Sequence, residues 1–486
     1  MIDLKELASI VSLISPDVES APEHRIRLNV GMMMDIPTGD YIRNPDGRWV
    51  LNGGLQVTTG VAGLPNTFKT TLLLTITAIA ANRLIMNHVP TQITTYDTEV
   101  TLNRSRLEAL IDRLPALREV DPFKSGVWVL TSKVEQNGTD WWSKIRKALN
   151  LKVKNAKSLM VETPIVGRDG KALKIIVPTF LHLDSLTAFA ASDVEEMEEK
   201  LELADPKGRM IYRNSGLSKA RLLTSLSSIA ERANGYFSIS AHVGESQADM
   251  SAGPYSPPPD KKLPTMKTTQ RYKGVTDNFF SLLHGIWQTQ SVKKLIADRG
   301  SKDKQPLYPK DKHDNGRKDI DLQLVTIQLM RSKSSADGGI IELVLSKAEG
   351  FLPELSEFHL LKSNDDFGLA GNDQSYHCVF YPEVKMRRTT VRGLLTDPRL
   401  ARAINICSEL FQIYQYKKLP NEEWRLAPEE LYEKLKTLGY DWELILSARG
   451  WHSLGHPPKT TLTVTTMDLL AIAAGELDLA EFKNKD

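Results

Sequence analysis

The stretch Gly63-Leu64-Pro65-Asn66-Thr67-Phe68-Lys69-Thr70-Thr71 decides how the rest of the chain is read. It follows LQVTTGVAG, Leu55 to Gly63, which reads as a strand running into a turn, and opens the apolar helix TTLLLTITAIAANRLI. A strand that feeds a tight turn and then a helix aims successive backbone N–H groups, and the positive end of the helix, at one point. That is where a phosphate binds. The spacing of such a loop is glycine, four residues, glycine, lysine, then serine or threonine. Gly63, Lys69 and Thr70 satisfy it, and Phe68 stands where the second glycine belongs. Leu64, Pro65, Asn66, Thr67, Phe68 and Thr71 complete the wall around a nucleotide's phosphates. Lys69 is expected to neutralise the outer phosphates of ATP, and the Thr70 hydroxyl to bind Mg2+. Taken in isolation, the motif also fits an ordinary strand-turn-helix carrying a surface lysine.

Outward from the loop, strands and helices alternate from about residue 25 to 290, which implies a mainly parallel sheet covered on both faces. After the loop helix come a strand at Thr91 to Glu99, a helix around Arg104 to Asp112, the strand GVWVLTS and a helix over 138–158. Lys174 to Leu186 reads as one buried strand, and a helix at Ser218 to Asn234 leads into the strand GYFSISAH. The stretch 244–275, rich in Ser, Pro, Gly and Lys, has the composition of a functional or disordered loop. DNFFSLLHGIWQTQSV returns to a strand pattern, 298–320 is a second polar insertion, and DLQLVTIQLMR with IIELVLS forms a hairpin. Beyond 395 the texture becomes helical. The reading is therefore an α/β core over 31–395, a short N-terminal helical segment over 1–30 suited to docking, and a small separate helical domain over 396–486.

Three further positions fit the loop's chemistry. Asp184 ends an apolar strand, where open α/β sheets bind ligands, and would hold Mg2+ through water, facing Thr70; capping a helix is its bland alternative. Glu99 ends ITTYDTE, where a carboxylate can take the proton from water attacking the γ-phosphate. Asp97, two residues earlier, points the same way in an extended strand, so the choice between the two acids stays open. His242 ends SISAH just before the long loop and is placed to sense the γ-phosphate.

Composition bounds the rest. The 486 residues are 41% hydrophobic and 25% charged with a formal net charge of +2, so attraction to nucleic acid must come from local patches. Cys378 and Cys407 are the two cysteines. They lack metal-ligand spacing and read as buried thiols in a reducing compartment. No apolar run reaches membrane-spanning length, and the start lacks the features of a signal peptide. A cytoplasmic location follows, that of the host cell if the chain is phage-encoded.

LNGGL (Leu51 to Leu55), GLPNTFKTT, YDTE, FLHLDSL and SISAH, in this order, resemble the RecA-type recombinases of the phage UvsX branch. That branch also carries a bulky aromatic before the loop lysine. The resemblance covers roughly residues 25–360 and implies a RecA-like P-loop ATPase core. It further implies a DNA-dependent ATPase acting in DNA recombination, repair and replication, and homo-oligomeric helical filaments on single-stranded DNA that exchange strands with double-stranded DNA. Mediator and single-strand-binding proteins are possible partners. Glu99 becomes the family's catalytic glutamate and His242 the histidine before its DNA-binding loop. The two DNA loops would fall at Thr187 to Leu217 and Val243 to Asp277. Lys261, Lys262, Lys267, Arg271, Tyr272 and Lys273 supply the second with positive charge and one aromatic, as strand binding needs. The first is acid-rich at Glu195, Glu196, Glu198 and Glu199, which repels phosphate. Lys293 and Lys294 match basic residues that reach the neighbouring subunit's ATP. Two rivals share these residues: a hexameric RecA-fold helicase and a non-catalytic recombination accessory protein.

Overall fold

The computed structural model describes residues 25–190, 194, 208–245, 263–267, 270–297, 305–311, 313–314, 321–333, 337–372 and 374–484. Its centre is a ten-stranded, mostly parallel sheet. In chain order the strands are β1 (Thr58–Gly63), β2 (Ile93–Asp97), β3 (Trp128–Ser132), β4 (Thr179–Asp184), β5 (Gly235–Glu245), β6 (Gln270–Lys273), β7 (Gly285–Lys294), β8 (Gln323–Ser332), β9 (Ile340–Ser346) and β10 (Gly350–Phe351). Across the sheet they run β10-β9-β8-β7-β1-β5-β4-β2-β3, with β6 added antiparallel to β5. The six strands from β7 to β3 are mutually parallel, and β8 to β10 continue as an antiparallel meander. The hairpin read at DLQLVTIQLMR and IIELVLS is the β8–β9 pair.

β1 lies between β7 and β5 and is buried along its whole length. It is followed by the helix Lys69–Met86, which is buried on nearly every side. A helix inside the molecule needs no polar face, which accounts for the long apolar run after Thr70. No helix among the described residues is long and apolar enough to cross a membrane. The register brings the carboxyl ends of the parallel strands level: Gly63 pairs with His242, and Asp97 with Asp184. Residues far apart in sequence thus meet along one rim, the one that bears ligand sites in open α/β sheets.

Several boundaries differ from those read in the sequence. Lys174 to Leu186 is two elements. Ala172–Ile176 closes a small hairpin with Met160–Val166, Pro178 intervenes, and only Thr179–Asp184 enters the main sheet. DNFFSL is a helix, and the strand starts at Gly285. Gln270–Lys273, read as part of a loop, is β6. The N-terminal segment to residue 24 and the acids Glu195, Glu196, Glu198 and Glu199 lie outside the described residues.

The helices beyond 395 do not form a core of their own. Ile404, Leu410, Leu431 and Leu470 share one hydrophobic cluster with Trp49, Leu295, Tyr308, Val344 and Phe358. Polar contacts reinforce the junction, with Tyr41 donating to Glu409 at 2.6 Å and the Trp49 amide to Asp468 at 2.7 Å. The Arg83 guanidinium, in the last turn of the helix that follows β1, stacks on Trp451 at 4.2 Å. The change of texture near 395 marks a change of element type rather than a gap in packing. Cys378 and Cys407 are both buried and free, with their sulfurs 3.6 Å apart.

Candidate nucleotide site

The turn between β1 and its helix passes through Asn66 at φ 59° and Phe68 at φ 65°. The left-handed region is where glycine is usually found, so Phe68 adopts the conformation that the motif's second glycine would supply. For a side-chain-bearing residue this costs roughly 1–2 kcal/mol. Burying a phenylalanine ring contributes about 1.5–3 kcal/mol, and the Phe68 ring belongs to the hydrophobic cluster that contains Val61 and Leu72. Burial therefore offsets the strain, and the loop keeps its shape without the glycine.

Gly63 is needed for space. A Cβ there would lie 1.7 Å from Thr289 Oγ1 and 2.7 Å from Thr67 Oγ1. Thr289, on β7, donates to the Thr67 hydroxyl at 2.7 Å, and Thr67 donates to the Leu64 carbonyl at 2.7 Å. The Lys69 ammonium donates to the same carbonyl at 2.7 Å. Leu64, Pro65 and Asn66 thus lie on a hydrogen-bonded bend pinned by a residue of the neighbouring strand. Burial pushes the Lys69 ammonium below its ordinary pKa, and the carboxylates of Asp184 and Glu99 pull it back up. Thr71, the last residue of the loop, accepts from Arg106 at 3.0 Å.

Asp184 faces Thr70, whose hydroxyl donates to Oδ2 at 2.8 Å, while Ser240 on β5 donates to Oδ1. Burial raises this carboxyl's pKa, opposed by the two hydroxyls. A hydroxyl and a carboxylate in contact beside a strand-turn-helix suit Mg2+, which takes one or two protein oxygens and fills its other positions with water and phosphate. The described residues contain no larger cluster of His, Cys, Asp or Glu that could hold a metal ion.

Glu99 and Asp97 prove to have different jobs. β2 ends at Asp97, whose carboxylate is buried and accepts from the amides of Glu99 at 3.0 Å and Leu102 at 2.7 Å. Asp97 builds the turn, and Glu99 projects from it. Glu99 Oε1 accepts from His242 Nε2 at 2.6 Å and from the Ser185 hydroxyl at 2.7 Å. The His242 bond, chiefly, pulls the Glu99 carboxyl down to about 2; Ser185 adds to the effect and burial opposes it. A carboxylate whose one oxygen is held by two donors keeps Oε2 for a water.

Of the residues predicted to contact nucleic acid, Lys267, Arg271 and Lys273 are exposed, and Lys261 and Lys262 lie outside the described residues. Tyr272, read as an aromatic for strand binding, is turned away from the surface. Side chains alternate along a strand, so with Arg271 and Lys273 turned out, Tyr272 turns in. It is buried, stacks on Phe280 with ring centroids 5.0 Å apart, and donates to Gln288 at 2.7 Å. Lys293 and Lys294 are exposed at the end of β7.

The sequence reading does not single out Ser185, Ser240 or Thr289. Ser185 directly follows Asp184, so its adjacency is visible in the sequence; the other two follow from strand pairing that no spacing reveals. Together the rim gathers an ammonium, a hydroxyl–carboxylate pair and a histidine-held carboxylate around the Gly63–Thr71 turn. Compared with family models and with curated proteins, the chain matches none.

Proposed function

We propose that this chain is a RecA-type, DNA-stimulated ATPase that assembles on single-stranded DNA and exchanges strands. The observation that carries the reading is the convergence of Lys69, the Thr70–Asp184 pair and the Glu99–His242 pair on one rim of the sheet. Phosphates seated in the Gly63–Thr71 turn meet backbone N–H groups and the start of a buried helix. Lys69 exchanges the Leu64 carbonyl for the outer phosphate oxygens, and Thr70 and Asp184 are the residues that would hold Mg2+. The ion, when bound, offsets the charge that develops on the phosphoryl oxygens.

Glu99 takes a proton from the attacking water. With its pKa near 2 it is a weak base while His242 holds it. A γ-phosphate is a competing acceptor for the His242 N–H, and transfer of that bond returns basicity to Glu99. His242 stands opposite Lys273 in the β5–β6 ladder, so the same residue links the nucleotide to the exposed cations Arg271 and Lys273. These cations suit a phosphate backbone, whose binding is dominated by charge and weakens with salt.

The test is ATP turnover with and without single-stranded DNA, alongside Lys69→Ala. The reading expects turnover that DNA stimulates and that Lys69→Ala abolishes. A rate indifferent to DNA counts against it, and rings in electron micrographs would favour a hexameric helicase.

A further inference from the structure

Thr187 ties together four segments that the nucleotide chemistry above does not use it for. Its hydroxyl accepts from the His242 amide and donates to the Lys273 carbonyl, both at 3.0 Å. Its own carbonyl accepts from the Lys219 ammonium at 2.8 Å, and Lys219 is buried on the helix Gly208–Ala233. Gly274 follows β6 at φ 62°, and a Cβ there would lie 3.1 Å from the Thr187 carbonyl oxygen and 3.3 Å from its Cα. The close approach therefore depends on a residue that has no side chain.

The β5–β6 ladder already pairs His242 with Lys273. The Thr187 hydroxyl bonds both partners again, and so fastens that ladder to the chain leaving Asp184. Two residues before Thr187, Ser185 donates to Glu99. A displacement of β6 thus reaches Glu99 by two short routes: through the His242 backbone to its imidazole, and through Thr187 to Ser185. Thr187 itself touches none of Lys69, Thr70, Glu99 or Asp184 through a hydrogen bond.

We propose that Thr187 is a positioning residue that couples the strand bearing Arg271 and Lys273 to the Glu99–His242 pair, so that nucleic acid on β6 regulates ATP hydrolysis. The inference rests on the nucleotide site proposed above and adds the element through which it is regulated. Coupling of this kind requires an element that both sites bias, and the Thr187–His242–Lys273 junction is that element.

The experiment uses the full-length chain with Thr187→Val and Thr187→Ala, which remove the hydroxyl, and Thr187→Ser, which keeps it. Affinity for a fluorescent ATP analogue is measured directly, turnover is followed against a thymidine homopolymer, and backbone hydrogen exchange is read over residues 270–275 with and without a non-hydrolysable ATP analogue. In the wild type and Thr187→Ser, the nucleotide changes exchange in that segment. In Thr187→Val and Thr187→Ala, the exchange response disappears and strand stimulation falls about five- to ten-fold, the worth of one or two hydrogen bonds, while ATP-analogue affinity stays at the wild-type value. Stimulation and exchange that survive loss of the hydroxyl overturn the proposal and leave the nucleotide site standing. A wild type that fails to bind the ATP analogue overturns both. A wild type that binds the analogue but whose turnover ignores the homopolymer overturns the proposal as well, because no nucleic-acid regulation is then left for Thr187 to transmit.

Discussion

His242 Nε2 lies 2.6 Å from Glu99 Oε1, although the two residues are 143 positions apart. His242 lies within β5, three residues before its end, and Glu99 two residues beyond the end of β2; the two strands do not pair. β4 stands between them, and its first residue beyond the strand, Ser185, donates to the same carboxylate oxygen. The Glu99 carboxylate is thus held across the width of a strand, and the strand it crosses carries Asp184.

Glu99→Gln keeps the size of the side chain and removes its basicity. General-base catalysis is worth about 10^2–10^4-fold, so turnover is expected to fall by at least about 100-fold. Binding of an ATP analogue stays near the wild-type value, because Lys69 and the turn are untouched. Wild-type turnover in this variant would remove Glu99 from the chemistry.

The pair also predicts a pH dependence. The folded Glu99 carboxyl titrates near 2, against an ordinary value of 4.5 in the unfolded chain. A group whose pKa is depressed by folding contributes stability that is present above about 4.5 and lost as the pH falls toward 2. His242→Ala removes the main cause of the depression, so Glu99 takes up its proton at higher pH. The acid-unfolding midpoint followed by circular dichroism is expected to rise. The same histidine change in a Glu99→Gln background should leave the midpoint of that background where it was. An equal shift in both backgrounds would mean that His242 acts on something other than Glu99.

Phe68→Gly separates the loop's shape from its anchor. Glycine relieves roughly 1–2 kcal/mol of left-handed strain. Truncating a buried phenylalanine costs about 3–5 kcal/mol. The balance is a loss of roughly 2 kcal/mol, read as a lower midpoint in thermal or denaturant unfolding, with affinity for ATP analogues retained because the turn is the one glycine prefers. A more stable variant would show that the ring does not hold the loop.

What the sequence makes legible, and what it does not, follows from how each feature is encoded. Thr70 and Asp184 are placed legibly because each is fixed by its own strand: one follows β1 by a set spacing and the other ends the short, mostly apolar strand TFLHLD. The choice between Asp97 and Glu99 is not, because it turns on where β2 stops, and the two acids are equivalent if the strand runs on. Thr289 and Ser240 become neighbours of the loop only through the order β7-β1-β5, which is not the order of the chain. The helices after 395 look separate because their composition differs, yet composition does not say that Trp49 and Phe358 pack among them. Tyr272 misleads for a related reason. An aromatic among lysines suggests base stacking, and four residues of strand in a polar stretch give too little alternation to show which side chain faces inward.

Tyr272 supplies a test of that correction. Its hydroxyl donates to Gln288, which is fully buried and in turn donates to Gln270 at 2.7 Å. Tyr272→Phe leaves the ring in its stack with Phe280 and strands the Gln288 oxygen without that donor. An unsatisfied buried acceptor costs about 1–3 kcal/mol, so the variant is expected to unfold at lower denaturant concentration. Its affinity for single-stranded DNA should be unchanged, since the ring is buried against Phe280 and not presented to a base. Arg271→Ala and Lys273→Ala should behave the opposite way. Both side chains are exposed, so stability holds, while DNA affinity falls and its dependence on log salt flattens by roughly 0.7 for each phosphate that is no longer neutralised. Loss of DNA binding by Tyr272→Phe at unchanged stability would mean that the tyrosine leaves its buried stack when DNA is bound.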